Sequence, residues 1–146
     1  MSTSYTWEYQ IRVAPYDRLM DVLEAFYSSY PGGDYTRERR ERYKLEFRRG
    51  LWRRSWLGFG ELVPDRLVKG QFNLWPLRVT VLVRPSPEVF LVTVRYVLFL
   101  PSSVPQLAPA VQASVDQHAR QETDDLCRYL AECIGLSEPP PVIPAA

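Results

Sequence analysis

The residues of this chain with the plainest chemical potential are a histidine and a carboxylate on an apolar helical stripe. In the segment 106–134, Leu107, Val111, Val115, Leu126, Tyr129, Leu130 and Cys133 recur at helical spacing. At about 100° per residue, His118 and Glu122 lie about 40° apart, and Glu122 falls about 20° from Val111 and Tyr129. Both sit inside the stripe. A buried carboxylate without a partner costs several kcal/mol or takes up a proton. Three readings follow. The pair lines a cavity, where it orients a ligand or exchanges protons; or the helix overhangs the sheet there; or the two side chains satisfy each other across one helical turn. Tyr9 and Tyr96 carry phenols to the inward faces of two strands, and a buried phenol needs a partner. With Trp56 from an aromatic-rich stretch, the candidate ligand contacts are Tyr9, Trp56, Tyr96, His118 and Glu122.

Other chemistries lack their residues, and no catalytic set is assigned. One histidine and two unclustered cysteines give no metal site. No serine stands at a nucleophile elbow that His118 could serve. Gly58-Phe59-Gly60 lacks the third glycine of a dinucleotide loop and stands in no βαβ unit, so no cofactor is expected. Cys127 and Cys133 fall on different faces of one helix and fit free thiols of a reducing compartment.

The elements that must position these residues follow from periodicity. Tyr5, Trp7, Tyr9, Ile11 and Val13 alternate with polar residues and make a strand. Pro15 opens a helix over 16–29 with Leu19, Val22, Leu23, Phe26 and Tyr30 on one side, and Pro31-Gly32-Gly33 ends it. The charged run 34–41 is expected to form a short second helix capped by Asp34. Tyr43, Leu45 and Phe47 alternate as a strand that turns at Arg49-Gly50. Strands are expected within 51–62 and 66–74. Strands over 77–84 and 89–100 flank the turn Pro85-Ser86-Pro87-Glu88, and a long helix runs from Gln106 or Pro109 to Ile134, closed by Gly135. The fold class is α+β: an antiparallel sheet of five to six strands against a long C-terminal helix, with an N-terminal strand followed by one or two helices. Residues 1–136 form one domain. Residues 137–146, rich in proline, form an extended, flexible tail.

Strand, helix, antiparallel strands and a long terminal helix resemble the START-like helix-grip superfamily, which includes the birch-pollen allergen and the polyketide cyclases. The local likeness is best from Tyr9 to Leu23, where a first strand ends in Ala14-Pro15 and an amphipathic helix begins. The resemblance implies a hydrophobic cavity between a curved sheet and the helix. It carries over no catalytic residue, because that superfamily shares none.

The remaining signals concern partners. Hydrophobic residues at 46% and charged residues at 24% suit a globular chain, and a net charge of +1 gives no global pull toward nucleic acid. The one basic block, 37–54, has nine basic and three acidic residues interleaved with Tyr43, Phe47, Trp52 and Trp56. An exposed strand face gives the same pattern, so nucleic acid is disfavoured. The run Val89–Leu100 is too short to span a bilayer and contains Arg95. With no apolar signal region after Met1, a cytoplasmic protein is expected. On the outer face of 89–100, Val89, Leu91, Val97 and Phe99 form an apolar patch suited to subunit contact. The sequence therefore supports binding of a hydrophobic small molecule or lipid in a sheet–helix cavity. The alternative is a non-enzymatic assembly module, a homo-oligomer by the outer face of 89–100. A cyclase-like or aromatase-like enzyme on the same cavity comes third.

Overall fold

The computed structural model describes residues 3–30, 35–49, 77–100 and 109–144. Their order is β1 (Thr3–Val13), α1 (Leu19–Ser29), β2 (Thr36–Glu41), β3 (Lys44–Arg49), β4 (Leu77–Arg84), β5 (Phe90–Leu100), α2 (Pro109–Ile134) and β6 (Val142–Pro144). The strands form one antiparallel sheet in the order β2-β3-β4-β5-β1-β6. β1 and β5 pair along their whole length, from Thr3 opposite Leu100 to Val13 opposite Phe90. This is the α+β layout expected from the periodicity. The strands expected within 51–62 and 66–74 lie outside the described residues.

One face of the sheet is the core. Strand alternation sends Ile11 and Val13 of β1, Leu45 and Phe47 of β3, Val79 and Val81 of β4, and Val92 and Val94 of β5 to the same side, where all are buried. Both helices lie on that side. α1 contributes Leu19, Leu23, Phe26 and Tyr27, and α2 contributes Val115, Ala119, Leu126 and Leu130, so each helix offers one apolar stripe. Among the described residues no helix is long and apolar enough to cross a membrane.

Three local expectations are corrected. The charged run before Tyr43 is not a helix but the edge strand β2, hairpinned onto β3, with a register shift between Arg37 and Arg39. Every residue of β2 is exposed, so the run has no apolar period to choose helix over strand, and pairing with β3 decides. A charged edge with a bulge also discourages pairing with other chains. α1 begins at Leu19 rather than at Tyr16. No side chain caps it, and the chain enters through a turn closed by Leu19 N–H donating to the Tyr16 carbonyl at 3.2 Å. In the proline-rich segment expected to be an extended, flexible tail, Val142–Pro144 bonds to Tyr9–Ile11 as a sixth strand. α2 does end at Gly135, whose φ of 85° a side chain would strain. The N–H groups of Gly135 and Leu136 both donate to the Ala131 carbonyl at 2.9 Å.

A buried carboxylate among tyrosines

Among the described residues the inward face of the sheet is most polar around one carboxylate. Glu122, on α2, is 3% exposed and enters the core between helix and sheet. Its carboxylate collects three donors. Arg49 Nη1, at the end of β3, lies 3.1 Å from Oε2 in an ion pair whose side chains are 1% and 3% exposed. The Tyr35 hydroxyl donates to Oε1, and the Tyr96 hydroxyl donates to the same oxygen at 3.2 Å. Tyr27, from α1, meets the Tyr96 hydroxyl at 3.2 Å. The Tyr96 proton is committed to the carboxylate, so Tyr27 is the donor in that contact. The Arg49 guanidinium also stacks over the Tyr35 ring, 4.5 Å from its centroid. Four segments of chain thus meet on one carboxylate.

Local periodicity explains how the group is assembled. Arg49 follows Leu45 and Phe47 at strand spacing, so it must face the core with them. Tyr96 sits between Val94 and Leu98 on the inward row of β5. Tyr27 stands two turns beyond Leu19 on the buried stripe of α1. Phe47 packs against both Tyr27 and Tyr35, with centroids 5.2 and 6.2 Å away, and holds the phenols in place from the apolar side.

The electrostatics are those of a charge removed from water. Burial pushes Glu122 above the usual carboxylate range, and Arg49 and the phenol donors pull it back. Burial first, and the Glu122 charge second, raise the phenols of Tyr27, Tyr35 and Tyr96, which stay protonated as donors.

The five candidate ligand contacts from the sequence divide. Tyr96 and Glu122 touch. Tyr9 packs edge-on against Tyr96, with centroids 6.2 Å apart, but donates its hydroxyl to Asp116 one helical turn and a half before Glu122. His118 lies on the exposed side of α2, and partial burial together with the Arg49 charge lowers its pKa. Trp56 lies outside the described residues. Glu122 is paired with Arg49 and phenols rather than with His118. Sequence reading missed Tyr27, Tyr35 and Arg49. The signal for Arg49 was its phase with Leu45 and Phe47; read as a turn residue, it lost its role as partner of Glu122. Of the interface candidates, Val89, Leu91 and Val97 are half-buried on the outer face, where Arg95 donates to Glu8 at 3.0 Å; the Phe99 side chain lies outside the described residues.

Further phenol–carboxylate bonds fasten α2. Tyr9 of β1 donates to Asp116, and Tyr30, just after α1, donates to Asp125 at 2.6 Å. Among the described residues no three of His, Cys, Asp and Glu gather to hold a metal.

The two thiols differ in a way that can be measured. Cys127 is buried and Cys133 exposed. Burial, reinforced by Asp124, pushes the Cys127 thiol up to about 12. At pH 8 the native protein should give one fast thiol with a chromogenic disulfide reagent and a second only in denaturant. Two equally fast thiols in the native protein would contradict this packing of α2.

No family model matches this chain, and neither does any curated protein or solved structure, so a functional reading rests on the site itself.

Proposed function

We propose that this chain is a small-molecule binding protein of the helix-grip kind. It encloses an apolar ligand between the sheet and α2 and fixes the ligand's polar end at Glu122, Tyr27, Tyr35 and Tyr96. One observation carries the reading: a carboxylate, a guanidinium and three phenols converge in a layer whose other described buried side chains are mostly apolar. Stability alone does not call for them. Buried ion pairs replaced by apolar residues of like volume often leave a protein as stable or more so. A polar cluster inside an apolar layer is also how ligand sites give orientation and specificity. The protons of Tyr35 and Tyr96 are committed to the carboxylate and that of Tyr27 to the Tyr96 hydroxyl, so the lone pairs left on Tyr27 and Tyr35 favour a ligand that donates. Its head is then a hydroxyl or an amine on an apolar body. The free thiols fit a cytoplasmic setting.

Native mass spectrometry of freshly purified protein tests this. A discrete adduct, released on denaturation and depleted in Glu122→Gln, supports the reading. A bare protein that takes up no long-chain alcohol or amine overturns it. A bare dimer turns attention to the outer face of β5 instead.

A further inference from the structure

A cleft of about 480 Å³ lies where α1 and α2 meet, lined by Phe26, Ser29, Tyr30, Asp125, Arg128, Tyr129 and Glu132. Phe26 is its floor, only 5% exposed. The rings of Tyr30 and Tyr129 flank it, with centroids 5.1 and 5.5 Å from that of Phe26. They are inclined to it by 49° and 52°, so the rings do not form a flat stack. The rim carries two carboxylates, Asp125 and Glu132, against one cation, Arg128.

Ring faces carry negative charge density, so rings and carboxylates both attract cations. An anion would meet two carboxylates. A neutral apolar group would gain the rings alone and leave the acidic rim unused. We propose that this cleft binds an organic ammonium group of the methylated or quaternary kind, held on Phe26, Tyr30 and Tyr129 with Asp125 and Glu132 as counter-charges. Asp125 is already positioned for this: the Tyr30 hydroxyl donates to one of its oxygens at 2.6 Å and the Gln121 amide to the other at 3.1 Å. Arg128 pairs with that second oxygen while its side chain stays 58% exposed, so it is the internal competitor that an incoming ammonium displaces. The site uses none of the side chains around Glu122, and it stands or falls separately from the ligand reading there.

The experiment is a titration of the nitrogen-labelled full chain with choline, followed by amide shifts. The control is the uncharged analogue in which carbon replaces the quaternary nitrogen. Choline should give saturable shifts confined to 26–30 and 125–132, and the analogue none. Glu132→Gln, on an exposed side chain, should weaken choline by roughly threefold, and Tyr129→Leu by roughly tenfold. Arg128→Gln should act in the opposite direction and tighten it by roughly threefold, because the competitor is gone. A purely structural role for Arg128 would not produce that gain. Equal binding of choline and its analogue would overturn the proposal, as would shifts that do not saturate. So would an Arg128→Gln variant that folds normally and binds no better.

Discussion

Replacing Arg49 by leucine should cost about 3–5 kcal/mol, because it leaves Glu122 as a buried charge without its cation. The two side chains are 1% and 3% exposed, so solvent does little to screen the loss. Replacing both, as Arg49→Leu with Glu122→Gln, should recover more than half. The amide oxygen still accepts from Tyr35 and Tyr96, and no net charge remains in the core. Urea unfolding of the wild type, the two single variants and the double variant at pH 7 measures the coupling. Strictly additive losses would mean that the pair is not the unit described here.

The same variant should show a pH dependence of defined sign. Burial raises Glu122 while Arg49, Tyr35 and Tyr96 lower it, so removal of Arg49 leaves only the two phenol donors against the raising cause. A carboxyl whose folded pKa lies above its unfolded value favours the fold in its protonated form. That stability is fully present below the unfolded pKa and is lost as pH rises through the folded one. The penalty of Arg49→Leu should therefore be smallest in mild acid and grow toward neutral pH.

How much of this was legible in the sequence depended on whether a segment carried an apolar period. β1, β4, β5 and α2 announce themselves, since Tyr9, Ile11 and Val13, or Val92, Val94 and Tyr96, must share a face wherever the strand lies. Glu122 was legible as an anomaly for the same reason: a charge on an apolar stripe stands out. Its partners were not. Arg49 comes from β3 and Tyr35 from the entrance to β2, and their meeting with α2 is set by strand pairing across the sheet. β2 was misread because six exposed polar residues have no preferred face, and only the hairpin with β3 fixes them. β6 was equally hidden: Val142, Ile143 and Pro144 gain their strand conformation only from the edge of β1.

Tyr96→Phe should be the most informative of the phenol deletions. Tyr96 both donates to Glu122 and accepts from Tyr27, and all three side chains are buried. Losing it removes a hydrogen bond to a charged group and strands the Tyr27 hydroxyl, at a cost of about 2–4 kcal/mol. Tyr27→Phe alone removes only a neutral bond at the end of the chain and should cost about 1 kcal/mol. In the Tyr96→Phe background the sign should reverse. Tyr27→Phe then deletes a hydroxyl that has already lost its acceptor, and the double variant should be more stable than Tyr96→Phe alone. Chemical unfolding of the three variants decides the matter. If Tyr27→Phe costs the same in both backgrounds, the two phenols do not form a chain ending on Glu122, and the cluster has no directional order. If the sign reverses, the donors run one way, from α1 through β5 to α2.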